Sequence, residues 1–198
     1  MNKSAQTHFP IDERLARRWS PYVFSERPVS AETLRSILEA ARWAPSSFNE
    51  QPWRFVVGMK GHGETHARIV DCLAEGNRTW AAQAPVLILG IYKYGFSAND
   101  KPNKSAPHDL GLAFAQMIFE AGRHELFAHM MIGLDPELAR TTFAIPNDAE
   151  AYTAMAIGQR DTGEAGDSTL RVRENKARQR LAQREFVFSN RFGESADF

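Results

Sequence analysis

Apolar and polar residues alternate at helical spacing in the segment SAETLRSILEAARWA, residues 30–44. Four apolar side chains stand at the i, i+3, i+4 and i+7 positions of this segment: Leu34, Ile37, Leu38 and Ala41. Ser30 is placed to cap the first turn, and Glu32 follows where the helix dipole favours a negative charge. The pattern predicts a helix that stops at Pro45.

Three short runs have the composition of β-strands. Trp53 to Met59 follows the first helix, Pro85 to Tyr92 is continuously apolar, and Tyr152 to Gly158 comes late in the chain. The run from Pro85 suits a central strand, because strands that are buried on both faces lose their alternation of apolar and polar residues. The stretch from Gly61 to Gly76 encloses a second helix, and residues 159–168 form a loop.

Three further helices are predicted in the second half of the chain. His108 to Leu126 carries a wide apolar face, which indicates either the protein core or a subunit interface. Asp135 and Pro136 start a short helix by N-cap and first-turn chemistry. Leu170 to Gln183 is predicted as a strongly basic helix. This order of elements favours a mixed sheet flanked by helices.

Composition places the chain among ordinary globular proteins, and we expect one domain over residues 1–198. Lysine plus arginine number 24 and aspartate plus glutamate also number 24, so no net charge attracts the protein to nucleic acid or to a membrane. The one cysteine, Cys72, excludes an internal disulfide. The first residues lack the apolar core of a signal peptide, and we expect a cytoplasmic protein with no membrane partner.

Two histidine motifs fail as metal or dinucleotide sites. His124 and His129 are five residues apart, about 140° around a helix, whereas a two-histidine zinc site needs a spacing of four. The sequence GHGETH begins like a dinucleotide fingerprint, but His66 replaces its third glycine. We therefore expect neither a bound metal nor a Rossmann-type site.

Two basic clusters, far apart in sequence, suit an anionic ligand. The first contains Arg17, Arg18 and Ser20, and the second contains Lys176, Arg178 and Arg180. Because guanidinium groups pair bidentately with phosphate oxygens, two converging clusters could hold a group with about two negative charges. Taken singly, each cluster is more typical of a solvated helix face.

A compact polar row follows the first predicted helix. It consists of Ser46, Ser47, Asn49 and Gln51. Its donors and acceptors suit the edge of a flat heterocycle or a polyol chain. The same residue types also cap helices and form turns, so the residues alone leave a binding site and a simple turn equally open.

The segment RRWSPYVFSERPVSAETLRSILEAARWAPSSFNEQPWRFVV, residues 17–57, resembles the N-terminal signature of the nitroreductase family. Members of that family are NAD(P)H oxidoreductases that depend on flavin mononucleotide (FMN). The resemblance continues in order through EGNRTWAAQAPVLIL, PHDLGLAFAQMIFEAGRHELFAHMMIGLD, the pair IP followed by AMAIG, and RQRLAQREFVF. It implies an α+β fold with a mixed, mostly antiparallel sheet, in an intertwined homodimer with two FMN sites at the subunit interface.

The resemblance also implies a role for each matching residue. Arg18 and Ser20, with neighbouring Arg17, would contact the phosphate and ribityl chain of FMN. Arg178 and Arg180 would form the far side of the same phosphate clamp.

The remaining matches concern the flavin ring. The partner subunit would lay one stretch against it, namely Pro45, Ser46, Ser47 and Asn49, with Gln51 beside them. Asn77 would meet the polar edge of the pyrimidine ring. Around Ile132 and Gly133, a backbone N–H would face flavin N5, the atom that accepts hydride.

Two positions depart from the family pattern. Tyr22 stands where the family usually has lysine or arginine, and Glu125 replaces a usual glycine. The first departure removes one cationic contact to the flavin, which puts the electrostatic tuning of the ring in question.

By this resemblance, NADH or NADPH would reduce the flavin and leave. An oxidised small molecule such as a nitroaromatic or quinone would then enter the same slot, in a ping-pong sequence. Since the cofactor transfers the hydride, we expect no catalytic side chain. Two alternatives remain open: a flavin-sequestering protein with little turnover, and a relative with other flavin chemistry such as dehalogenation or dehydrogenation.

Overall fold

A computed structural model describes residues 3–163 and 168–198 of the chain. Seven α-helices occur in these residues: α1 (Glu13–Arg17), α2 (Ala31–Arg42), α3 (Thr65–Cys72), α4 (Glu75–Ala81), α5 (Ala106–Arg123), α6 (Pro136–Phe143) and α7 (Ser168–Asn175). Four strands occur with them: β1 (Trp53–Met59), β2 (Val86–Lys93), β3 (Phe127–Met131) and β4 (Ala149–Gly158). Two short 3-10 turns, Ser47–Asn49 and Gln183–Glu185, complete the elements.

The four strands form one sheet in the order β1-β2-β4-β3. Each of the three pairings is antiparallel, where we expected a mixed and mostly antiparallel sheet. The register shifts between Gly90 and Ile91, where a Cβ on Gly90 would lie 2.3 Å from the Phe114 ring. The predicted combination of helices with this sheet, an α+β fold, is confirmed.

Helices cover both faces of the sheet. On one face α5 and α2 pack together, and the α5 residues Leu110, Phe114 and Met117 are fully buried. The apolar side of α5 is therefore covered within the chain. Of the two roles that its sequence pattern allowed, the protein core and a subunit interface, the structure shows the core. On the other face Trp80 of α4 and Met131 of β3 belong to a second core cluster.

Most predicted elements agree with the structure. Ser30 caps α2 by accepting a hydrogen bond from the Thr33 N–H, and the Asp135 carboxylate accepts from Leu138 at the start of α6. The observed β1 has the predicted bounds, and β2 occupies the centre of the sheet.

The helix α4 and the strand β3 are not among the predicted elements. The stretch after Gly61 contains α3, but the chain becomes extended at Leu73 and a separate helix, α4, starts at Glu75. Leu73 pairs with Leu134 in an isolated β-bridge, and this tertiary contact is what divides the two helices. The short strand β3 was also missed, so His129 lies on a strand and not on a helix with His124.

The predicted basic helix from Leu170 to Gln183 is wrong after Asn175, where α7 ends. Arg178 lies beyond it, and its side-chain Nη1 donates to the backbone carbonyls of Lys3 and Ala16, so tertiary contacts hold the chain there. Part of the predicted loop 159–168 lies outside the described residues. Across the described ranges, no helix combines the length and apolarity needed to cross a membrane.

Candidate functional site

Three arginines from the two basic clusters meet at one cleft of about 1040 Å³. Arg18 reaches it from the end of α1, and Arg178 and Arg180 reach it from the segment after α7. The walls come from residues 5–15 and 179–186, so the two ends of the chain build this cleft together. We call these three residues the arginine clamp.

Burial and mutual repulsion both disfavour the charged forms of Arg18 and Arg178 in the arginine clamp. Burial lowers the pKa of Arg18, and the charges of Arg178 and Arg180 lower that pKa further. Burial and the Arg180 charge lower the pKa of Arg178 in the same direction. Within residues 3–163 and 168–198, none of the three pairs with a carboxylate. A ligand with negative charge would relieve this repulsion.

Arg17 does not line the cleft of the arginine clamp. Its side chain is exposed and forms an ion pair with Glu13 at 3.5 Å. It borders a different pocket, of about 400 Å³, together with Lys3 and Trp19. Arg17 and Arg18 still share a third, smaller pocket of about 90 Å³ against α5 and β3, so Arg17 is absent only from the cleft of the arginine clamp.

Ser20 lies beside the arginine clamp, and its Oγ accepts a hydrogen bond from Arg18 Nη1 at 3.4 Å. The next residue is fixed from β3, since the His129 Nδ1 lies 2.7 Å from the Pro21 carbonyl oxygen. His129 in turn stacks on Trp80 with ring centroids 4.2 Å apart. Our sequence predictions missed this role of His129, although it is the one polar side chain in β3.

Tyr22 is enclosed by aromatic rings and a cation. Its ring meets the rings of Trp80 and His129 edge to face, at 5.4 Å and 4.8 Å. Arg173 of α7 donates to the Tyr22 hydroxyl at 3.0 Å, and its guanidinium carbon lies 4.2 Å from the ring centroid. Positive charge is therefore present next to position 22, although residue 22 itself is neutral.

Glu174 connects α7 to the same segment. Its carboxylate is buried and accepts hydrogen bonds from the backbone N–H groups of Tyr22 and Val23. Burial raises the pKa of this carboxyl group, against the effect of those two bonds. One helix thus holds both the Tyr22 ring and its backbone.

Asn77 and Gly133 form a second polar cluster. The Asn77 Nδ2 donates to the Gly133 carbonyl at 2.9 Å, and the Ala74 N–H donates to the same oxygen at 3.0 Å. A Cβ on Gly133 would come within 2.7 Å of the Asn77 Nδ2. Ile132 beside it is 65% exposed, so this end of β3 is open to a ligand.

The polar row after α2, which we call the shelf (residues 45–51), is folded tightly. The Ser47 N–H donates to the buried Asp109 carboxylate at 3.1 Å, and the Gln51 N–H donates to Ser46 Oγ at 3.0 Å. Three non-glycine residues of the shelf are left-handed: Phe48 (φ 52°), Asn49 (φ 55°) and Gln51 (φ 51°). Each such conformation costs on the order of 1–3 kcal/mol, and such strain concentrates at functional sites.

The shelf lies away from the other predicted site residues. It leads into β1 and is anchored to α5, whereas the arginine clamp and Gly133 lie near β3 at the opposite edge of the sheet. Three strand spacings separate the two edges, roughly 14 Å. One chain therefore places the arginine clamp with Ser20 near the start of β3 and Asn77 with Gly133 beyond its end, and leaves the shelf at the other edge of the sheet.

Comparisons with known proteins agree with this architecture. A family model described as the nitroreductase family matches residues 15–78. A putative NADH dehydrogenase/NAD(P)H nitroreductase from Archaeoglobus fulgidus is 52% identical over 163 residues, which cover 76% of this chain and 87% of that protein. Alignments with several other curated relatives span only 32% or 33% of those proteins.

Solved structures extend the likeness over the full fold. A crystal structure of an oxidoreductase containing FMN is 31% identical, with a TM-score of 0.89 over 98% of each chain. A nitroreductase family protein from Clostridium difficile 630 has a TM-score of 0.71 at 19% identity, over 92% of this chain and 99% of that one, which is a likeness of fold alone. Together with the sequence identity to the archaeal relative, these matches show that the chain belongs to the nitroreductase family.

Proposed function

We propose that this protein is an FMN-dependent oxidoreductase that transfers hydride from NADH or NADPH to an oxidised small molecule. The observation that carries the proposal is the arginine clamp, in which three cations without a carboxylate partner among the described residues surround one cleft. A terminal phosphate dianion is the group that such a set of donors would hold most strongly.

The other residues near β3 fit the rest of FMN. Ser20 adds a hydroxyl beside the arginine clamp, where a ribityl chain would begin. The Asn77 amide is fixed through Nδ2, which leaves its Oδ1 without a donor among the described residues and open to the N3–H of a flavin. Gly133 presents bare backbone next to that amide, since a side chain there would clash with it.

The chemistry of hydride transfer would belong to the flavin, which accepts and releases hydride at N5. The chain would hold the phosphate with Arg18, Arg178 and Arg180, and orient the ring with Asn77 and the backbone around Ile132. Arg173, held over Tyr22, would supply positive charge near this site and offset the cation that position 22 lacks. This arrangement needs no side chain as an acid or a base.

The shelf suits a role across a subunit boundary. In one chain it lies roughly 14 Å of sheet width from the β3 edge, yet its strained backbone is typical of a functional segment. A two-fold homodimer could bring Pro45, Ser46, Ser47, Asn49 and Gln51 of one protomer to the arginine clamp of the other. The loop at 93–105, tied to Glu50 through Ser97, would then border the slot for the electron acceptor.

A first experiment tests the cofactor. We expect the purified protein to be yellow and to release FMN, not FAD, on denaturation. A colourless protein that binds no added FMN would reject the proposed function.

NADH oxidation by the FMN-loaded protein, with and without a quinone, separates an oxidoreductase from a flavin-sequestering protein with little turnover. Product analysis with other acceptors tests for dehalogenation or dehydrogenation.

A second experiment tests the arginine clamp. Arg178→Ala should weaken FMN binding about ten- to a hundredfold, because a hydrogen bond to a charged group contributes about 1.5–3 kcal/mol. Riboflavin lacks the phosphate, so its affinity should hardly change. Arg35→Ala is a matched control, since Arg35 is an exposed arginine on α2. Equal FMN affinity in wild type, Arg178→Ala and Arg35→Ala would show that Arg178 belongs to a solvated surface and does not bind the phosphate.

A further inference from the structure

His129 lies between the two parts of the proposed site. It occupies the middle of β3, whose first residue, Phe127, lines a pocket together with Arg18 of the arginine clamp. The last residue of β3 leads directly into Ile132 and Gly133. A ligand that reached from the arginine clamp to Gly133 would therefore pass along this strand.

The hydrogen bond to Pro21 fixes the tautomer of His129. Nδ1 lies 2.7 Å from a backbone carbonyl oxygen, which can only accept, so Nδ1 carries the hydrogen. In a neutral imidazole the other nitrogen, Nε2, then presents a lone pair. Burial lowers the pKa of His129, and the charges of Arg173 and Arg18 lower it further against the effect of the Pro21 bond, so the ring is neutral at pH 7.

The lone pair on Nε2 is open. Among the described residues none donates to it. Asn103 Nδ2 is the one fully buried side-chain polar atom among the described residues that lacks a hydrogen-bond partner. Because Nε2 of His129 also lacks a partner and is not such an atom, it is not fully buried. An acceptor with a fixed direction is therefore present between Ser20 and Gly133, on a ring held by Trp80 and Tyr22.

We propose that His129 is a further flavin-binding residue, whose Nε2 accepts a hydrogen bond from a hydroxyl of the ribityl chain. The donors of FMN are its ribityl hydroxyls and the N3–H of the ring. Asn77 already offers its Oδ1 for N3–H at the far end of β3, and the hydroxyls come next to the phosphate. This inference rests on the proposed function, since it needs flavin in this site.

Two substitutions separate the two nitrogens of His129. His129→Asn keeps an amide N–H near the Nδ1 position for Pro21 and loses the acceptor at Nε2. His129→Gln places an amide oxygen near the Nε2 position and loses the bond to Pro21. If Nε2 binds the ribityl chain, riboflavin affinity should fall roughly two- to tenfold in His129→Asn, the effect of one neutral hydrogen bond, and should be largely retained in His129→Gln.

A purely structural role predicts the opposite order, because His129→Gln would then be the weaker binder. Fluorescence titration with riboflavin and with lumiflavin, which has no ribityl hydroxyls, measures the affinities without turnover. The difference between His129→Asn and wild type should vanish for lumiflavin. A difference that persists with lumiflavin, or equal riboflavin affinity in all proteins, would overturn the inference.

A measurement on the unaltered protein avoids any dependence on folding of the variants. With 15N-labelled histidine, the Nε2 resonance of His129 should shift when riboflavin is added and not when lumiflavin is added. An unshifted Nε2 resonance at saturating riboflavin would reject the inference. Absence of binding by wild type to both FMN and riboflavin would instead reject the proposed function itself.

Discussion

Gly133 illustrates how much one residue contributes at this site. Its carbonyl accepts two hydrogen bonds, from Asn77 Nδ2 and from the Ala74 N–H, which join α4 to the end of β3. The position has no room for a side chain, because a Cβ would meet Asn77 Nδ2 at 2.7 Å. In the proposed function, Asn77 would offer its Oδ1 to the flavin while the hydrogen bond to the Gly133 carbonyl holds its amide.

Gly133→Ala should therefore displace the Asn77 side chain and lower FMN affinity by roughly two- to tenfold, the effect of losing one oriented hydrogen bond. Gly122→Ala is the matched control, because a Cβ on Gly122 of α5 meets nothing within 4 Å. Isothermal titration with FMN compares the two variants with wild type. Equal affinities for Gly133→Ala and Gly122→Ala would show that Asn77 does not contact the flavin.

The shelf shows how neighbouring elements hold a strained segment in place. The buried Asp109 carboxylate in the first turn of α5 accepts the Ser47 N–H, and Glu50 accepts hydrogen bonds from the backbone N–H and hydroxyl of Ser97. These three hydrogen bonds hold the shelf against the segments that border it. Because Phe48 and Asn49 have left-handed backbones, the shelf would relax if these bonds were lost.

We expect Asp109→Ala to lower the free energy of unfolding by about 2 kcal/mol, which corresponds to a melting temperature roughly 4–8 °C lower. The loss follows from the hydrogen bond to a charged, buried group. Glu32→Ala on the exposed first turn of α2 provides a comparison with one carboxylate removed from a solvated position. Thermal unfolding followed by circular dichroism measures both melting temperatures. Equal melting temperatures for Asp109→Ala and Glu32→Ala would contradict the anchoring role of Asp109.

At the scale of the whole molecule, the sheet separates the two halves of the proposed site. The arginine clamp and Gly133 lie by β3, and the shelf lies by β1. A second copy related by two-fold symmetry would supply the missing half to each site. A flavin bound only by the dimer would then stabilise the dimer by mass action.

Complementation tests this arrangement. Chains with Asn49→Ala and chains with Arg178→Ala should each lose most activity, and their mixture should regain up to about a quarter of wild-type activity. The reason is that random exchange makes half of the dimers mixed, and each mixed dimer has one of its two sites intact. No recovery despite verified subunit exchange would mean that each site is built within one chain.

The pH dependence of stability is also a property of the whole molecule. His66 is buried, its Nε2 lies 2.8 Å from the Ala84 carbonyl oxygen, and burial lowers its pKa below the ordinary value of 6.5. The unfolded chain therefore binds more protons as the pH falls below about 6.5. The contribution of His66 to stability is complete above that value and is lost as the pH falls through the folded pKa.

We expect wild type to lose more unfolding free energy than His66→Gln between about pH 7 and pH 5, because glutamine does not titrate. The amide of the introduced glutamine would still be able to donate to the Ala84 carbonyl. Urea unfolding at both pH values measures the difference. Parallel losses in the two proteins would show that His66 does not titrate differently in the folded and unfolded states.

Periodicity and capping residues were sufficient for the elements that depend on local sequence. Ser30 and Asp135 cap their helices as predicted, and the apolar runs of β1 and β2 form strands. The prediction failed where tertiary contacts overrule local preference. Leu73 pairs with Leu134 and interrupts a helical stretch, and Arg178 bonds to Lys3 and Ala16 where a basic helix was expected.

The sequence by itself therefore determined the family, the helices and strands with strong local patterns, and the residue types that suit a flavin phosphate. The tertiary structure decided which of those residues meet, because contacts between segments far apart in sequence leave no periodic signal. It placed Arg18 with Arg178 and Arg180, left Arg17 outside their cleft, and set the shelf at the other edge of the sheet. It also revealed the open nitrogen of His129, which depends on a hydrogen bond to Pro21 across 108 positions of sequence.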